Sequence, residues 1–80
     1  MTKILKFYAP WCAPCTALGK VISESDVIID IEEINIDDEP EKAAEYGVRS
    51  IPTLVLIKDG SATKRKTGMM SKEEFEEFAQ

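Results

Sequence analysis

The chain has 80 residues, with 15 acidic against 10 basic side chains, a formal net charge of -5, two cysteines and no histidine. A chain of this length forms one domain, residues 1–80, and buries only about 60% of the surface it exposes when unfolded, so its core is thin. With 44% hydrophobic residues and no apolar run near the roughly 20 residues of a membrane span, it reads as soluble, and its acidic balance argues against gripping phosphates, so neither nucleic acid nor membrane is expected as a partner.

Met1-Thr2-Lys3-Ile4-Leu5-Lys6 is charged and lacks the apolar core and small-residue cleavage site of a signal peptide, so a cytoplasmic location is expected. Ile4–Tyr8 is a β-favouring run closed by Ala9-Pro10. Helical spacing of Ala17, Leu18, Val21 and Ile22 predicts a helix over Ala13–Ser25, stopped by polar Ser23–Asp26. Val27–Ile36, dense in isoleucine and valine, reads as a parallel strand buried on both faces. Asp37-Asp38-Glu39-Pro40 opens a short helix, Pro40–Tyr46, that Gly47 ends.

Thr53–Lys58 and Ala62–Thr67 flank the turn signal Asp59-Gly60 and pair as an antiparallel hairpin. Lys64-Arg65-Lys66 falls on that second strand; lysines there discourage edge-to-edge association, and steering of an acidic partner is the other reading. Ser71-Lys72-Glu73-Glu74 has the capping-box pattern and opens a last helix through Ala79, with Phe75 and Phe78 inward. The order βαβαββα gives an α/β fold: a four-stranded mixed sheet with helices on both faces, three in all.

Cys12 and Cys15, three positions apart, are the chain's only thiols and stand beside its only tryptophan, Trp11. A structural zinc site takes four Cys or His ligands, so one chain falls short, although two chains sharing a metal through four thiolates would suffice. A structural bridge closing so short a loop removes little unfolded-state entropy, and such bridges are uncommon in the cytosol. The third reading follows from position. Cys12 lies where strand gives way to helix, its sulfur meeting unpaired backbone N–H groups and the positive end of the helix dipole, which favour the thiolate that attacks disulfides. Cys15, one turn further in, is placed to attack a mixed disulfide formed on Cys12.

The segment Phe7-Tyr8-Ala9-Pro10-Trp11-Cys12-Ala13-Pro14-Cys15, together with Asn35-Ile36-Asp37, Tyr46-Gly47-Val48-Arg49-Ser50-Ile51-Pro52-Thr53-Leu54 and Lys58-Asp59-Gly60, resembles the thioredoxin family over nearly the whole chain. The resemblance implies a thioredoxin fold and a cis peptide at Ile51–Pro52 against the cysteine pair. It also implies a substrate groove of Trp11, Ala13, Pro14, Ile51, Pro52 and Gly68, with Met69 at its rim. Beside this stand plainer roles: a proline opening an edge strand, a turn glycine at Gly68, and packing for Met69 and Met70.

Three departures from the family pattern bear on chemistry. The chain starts at the active-site strand, without the strand and helix that usually precede it, as in glutaredoxins. Ala13 replaces a glycine between the cysteines. Beneath the site, where the family carries a buried aspartate and a lysine partner, this sequence has Lys6 and Glu33, so the polarity is exchanged. An ion pair between them is expected, with Glu33 transferring a proton with Cys15 and Lys6 stabilising the thiolate; both side chains reaching solvent is the alternative.

The expected activity is reduction of disulfides in protein substrates through a reversible Cys12–Cys15 dithiol/disulfide, without a bound cofactor. By resemblance the reducing equivalents come from NADPH through a separate thioredoxin reductase, and ribonucleotide reductase is a family-level acceptor; a monomer is expected. Two rivals remain: a glutaredoxin-like protein recycled by glutathione, and a non-catalytic docking subunit that uses the same groove.

Overall fold

In the computed structural model, which describes residues 1–80, the elements follow in the order β1 (Thr2–Tyr8), α1 (Ala13–Ser23), β2 (Asp30–Asn35), α2 (Pro40–Glu45), β3 (Thr53–Lys58), β4 (Ser61–Thr67) and α3 (Lys72–Phe78). The strands form one sheet in the order β2-β1-β3-β4. β1 runs parallel to β2 and antiparallel to β3, and β3 pairs antiparallel with β4.

Alternation along β1 divides the molecule. Successive strand side chains point to opposite faces, so Ile4 joins one core, with Leu18 of α1, Leu54 and Leu56 of β3, and Phe75 and Phe78 of α3. Leu5 and Phe7 join the other, with Ile34, Val55, Ile57 and Ala43 of α2. Burial of each of these side chains larger than alanine contributes about 1.5–3 kcal/mol. Thus α1 and α3 cover one face, and α2 covers the other. β3 lies inside the sheet, and Thr53–Ile57 is buried throughout.

The punctuation works as the side chains dictate. Asp59 and Gly60 both have positive φ, 51° and 86°, the backbone that a two-residue hairpin turn requires. Ser71 Oγ accepts from the Glu74 N–H at 3.1 Å while Glu74 Oε1 accepts from the Ser71 N–H at 2.8 Å, completing the capping box of α3.

The expectation for Val27–Ile36 is corrected. β2 covers only Asp30–Asn35 and is an edge strand, with Ile34 its one buried residue. Ile28 lies in the preceding loop and is fully exposed, whereas Val27, Ile29 and Ile31 are partly buried against the α1/α3 core. Density of β-branched residues reports affinity for a sheet, not a central place in it. The first helix ends at Ser23, where Ser23 Oγ donates to the Lys20 carbonyl at 2.7 Å, and Ala17 faces solvent.

Candidate active site

Pro10-Trp11-Cys12 carries the chain out of β1 and turns it into α1, with the Cys12 N–H donating to the Ala9 carbonyl at 3.1 Å. Cys12 is the N-cap residue of α1, in extended conformation, and its Sγ accepts from the Cys15 N–H at 3.2 Å. A helix start leaves its first N–H groups unpaired; here one of them points at the sulfur. Negative charge on Cys12 Sγ is therefore stabilised by a hydrogen bond and by the helix dipole together. Cys12 and Cys15 are joined in a disulfide with their Cα atoms 5.2 Å apart. Both are buried, 6% and 2% exposed, in a small cluster with Ala9, flanked by Tyr8, Ile36 and Ile51.

Around this cluster the expected groove residues present unequal surfaces. Trp11 is 69% exposed, and its indole Nε1–H donates to Asp37 Oδ2 at 3.0 Å. The Asp37 N–H in turn donates to Asn35 Oδ1 at 2.9 Å, an Asx turn that sets the carboxylate. Ala13 and Pro14 are exposed at the first turn of α1. The Ile51–Pro52 peptide is cis; Pro52 is buried and Ile51 half-buried against the cysteines. The Gly68 N–H donates to the Pro52 carbonyl at 2.8 Å, which brings the end of β4 beside the proline, and Gly68 has φ 94°. Met69 is half-exposed, while Met70 is buried in the α1/α3 core. None of the molecule's surface hollows is lined by either cysteine.

Lys6 and Glu33 are register neighbours on β1 and β2, yet the expected ion pair between them is absent: no carboxylate lies within ion-pair distance of Lys6. Lys6 is buried, whereas Glu33 sits on the edge strand and is exposed. An edge carboxylate keeps its hydration, which a pair with a buried ammonium would remove at a cost of several kcal/mol per ion. The Lys6 ammonium instead lies 5.4 Å from the centre of the Tyr8 ring, within the range of a cation–π contact. It also lies against Gly19 of α1, where a Cβ would come within 3.2 Å of it. Sequence reasoning missed Asp37 as the anchor of Trp11 and Gly19 as the seat of Lys6. The signals were available in the Asn35-Ile36-Asp37 spacing and in a glycine inside a helix.

The basic cluster is engaged inside the fold. Lys64 Nζ donates to the Phe78 carbonyl at 3.2 Å, the Arg65 guanidinium donates to the Tyr46 carbonyl, and Lys66 lies 3.8 Å from Glu74.

Comparison with known proteins follows the same lines. The thioredoxin family model matches residues 1–80. A thioredoxin of Chlamydia caviae is 41% identical over 73 residues, covering 88% of this chain and 72% of that protein. One from Bacillus subtilis is 40% identical over 76 residues, covering 90% and 73%. Among solved structures, a mutant thioredoxin from Halobacterium salinarum NRC-1 superposes with a TM-score of 0.86 at 30% identity, over 98% of this chain and 71% of that one. Fasciola hepatica thioredoxin also reaches 0.86, at 31% identity, over 98% and 77%.

Proposed function

Because the chain belongs to the thioredoxin family and is a thiol–disulfide oxidoreductase with a Cys12–Cys15 pair, we propose that it works as a reductant of protein disulfides with Cys12 as the attacking sulfur. The observation that carries the assignment is the asymmetry of the pair: Cys12 caps α1 and receives the Cys15 N–H, while Cys15 lies one turn inside.

In the reduced protein the Cys12 thiolate attacks one sulfur of a target disulfide. That bond breaks, its other sulfur leaves as a thiolate and takes up a proton, and Cys12 is held in a mixed disulfide. Cys15 loses its proton and attacks Cys12 Sγ; the second target sulfur leaves, and the Cys12–Cys15 bridge remains. Two electrons have passed to the target. Trp11, Ala13, Pro14, Ile51, Pro52, Gly68 and Met69 form the contact surface, with the Ile51 main chain pairing to an extended segment of the target. The proton-relay role for Glu33 is supported by its register position beside Lys6, and its exposure requires that the relay run through water. Comparing mixed-disulfide resolution in Glu33→Gln and wild type across pH tests it, and superimposable profiles reject it.

We also propose that residues 1–80 act as a single domain, monomeric and cytoplasmic; the single-domain reading is supported by a radius of gyration of 11.6 Å, close to the roughly 12 Å expected for one compact domain of this length. Its reducing equivalents come from NADPH through a separate thioredoxin reductase, and ribonucleotide reductase is one acceptor with suitable chemistry. Turnover of a protein disulfide coupled to thioredoxin reductase supports this donor. Turnover with glutathione and glutathione reductase alone refutes it. Cys15→Ser should accumulate a covalent adduct on Cys12, visible by mass spectrometry, and Cys12→Ser should form none; full biological activity in the Cys12→Ser, Cys15→Ser double variant would make docking the function instead.

A further inference from the structure

Lys6 is the only buried charged side chain in the molecule, 7% exposed on β1; no carboxylate lies within ion-pair distance, and the tip of its ammonium keeps contact with solvent. Its ammonium rests on Gly19, the one position of α1 with no side chain to exclude it. Gly19 follows Cys15 by four residues, so both lie on the same stripe of the helix, and helical side chains tilt towards the N-terminus. The ammonium therefore sits about one helical turn beneath Cys15, roughly 5–6 Å along the helix, on the side of the Tyr8 ring, whose centre is 5.4 Å away.

We propose that Lys6 is a positioning residue for the redox couple: its ammonium, seated on Gly19, stabilises the anionic form of the reduced cysteine pair and so sets how readily the pair gives up electrons. The inference deepens the exchange mechanism above and rests on it. When two glutathione thiols reduce the Cys12–Cys15 bridge, that S–S bond breaks, the glutathione sulfurs join, and two electrons and two protons pass to the protein. Above the thiol titration one of those protons is released, and the thiolate left behind meets Lys6. The bridge itself is neutral and gains nothing from the cation. The other titratable groups near the pair are Tyr8 on β1, Glu33 on the same face of β2, and Asp37, which is bonded to Trp11. The basic residue in the last turn of α1, Lys20, is exposed. Lys66, two strands away on the same face of the sheet, is half-buried and lies 3.8 Å from Glu74, so Lys6 is the one buried cation.

The test is the equilibrium of the Cys12–Cys15 pair with glutathione between pH 5 and 9, together with thiolate absorbance, in wild type, Lys6→Met, Lys6→Arg and Gly19→Ala. In Lys6→Met the thiolate should titrate at higher pH. Its equilibrium should shift towards the disulfide by about tenfold on the alkaline side, a potential about 30 mV more negative, and coincide with wild type on the acid side, where both thiols are protonated. Lys6→Arg should stay close to wild type. Gly19→Ala, whose Cβ would meet the flexible tip of Lys6 at 3.2 Å and push it aside by a few tenths of an ångström, should shift in the same direction by less than Lys6→Met does. Curves for Lys6→Met that superimpose on wild type, or that are displaced equally at every pH, overturn the proposal. If Lys6→Met does not fold, Lys6→Gln, which keeps a polar tip without the charge, decides alone: an alkaline shift supports the proposal, and coincidence overturns it. Failure of the exchange mechanism itself reads differently, as a wild-type protein with no reversible Cys12–Cys15 equilibrium at any pH.

Discussion

Trp11 is a large apolar side chain left mostly in water, held by a single hydrogen bond to Asp37. A bond of this kind contributes little to folding, because water competes for both groups; it fixes the indole beside Cys12, where we propose the contact surface lies. Asp37→Ala should leave stability within about 0.5 kcal/mol of wild type, increase the depolarisation of Trp11 fluorescence, and lower kcat/KM for a protein disulfide several-fold; unchanged kcat/KM with a mobile indole would show that the orientation is unimportant. The position of Cys12 at the start of α1 was legible because a residue between strand and helix must face the helix N-terminus. The surroundings of Lys6 were not. Sequence spacing predicts which strand residues are register neighbours, but whether neighbours bond depends on which of them keeps its water, and that is decided by sheet order. Gly19 was the available clue, since a glycine inside a helix costs roughly 1 kcal/mol against alanine and calls for a local reason.

At the scale of elements, the edges of the sheet carry the least predictable features. β4 uses alternate basic side chains to hold helices on opposite faces: Lys64 reaches the last turn of α3 and Arg65 the residue capping α2. Cations suit helix C-termini, where carbonyls are unpaired. Arg65→Ala should therefore destabilise by about 1 kcal/mol, measured by denaturant unfolding, and raise hydrogen exchange around Gly47 before that of the core. On the other edge Glu32 accepts from Lys42 of α2 at 2.8 Å and from Lys3 of β1 at 2.9 Å. These bonds, the one from Lys42 foremost, hold its carboxyl below the ordinary carboxylate range. Since the folded-state value is the lower one, this contribution to stability is present above the unfolded carboxylate pKa and disappears as pH falls through the folded one. Glu32→Gln should accordingly unfold more easily than wild type near neutrality and equally at strongly acid pH; a difference that persists in acid would point to packing. Ser71→Ala should cost about 1 kcal/mol by removing the cap of α3. The elements themselves were legible because caps and turns are local signals. The place of β2 at an edge was not, because it depends on which strands are neighbours.

The whole molecule is a thin slab, 30 × 30 × 16 Å, with one sheet between two small cores; the sequence order βαβαββα supplies the elements and the hairpin, and the strand order β2-β1-β3-β4 completes it. In that order β1 receives β2 on one side and β3 on the other. That placement delivers the cysteines to the end of β1, against the cis proline at the start of β3 and Gly68 at the end of β4, so residues far apart in sequence converge on one open surface. The proposed redox character of the pair belongs to this scale, since helix, sheet and buried cation meet at the cysteines. The most direct test of the central claim is the midpoint potential of the wild-type protein, read by equilibrium with glutathione and assigned to the cysteines by mass spectrometry. One reversible two-electron couple confined to Cys12 and Cys15, near the roughly -270 mV known for thioredoxin itself, is the predicted result. A potential near -120 mV, where disulfide donors lie, or no reversible couple between these two sulfurs, would contradict it.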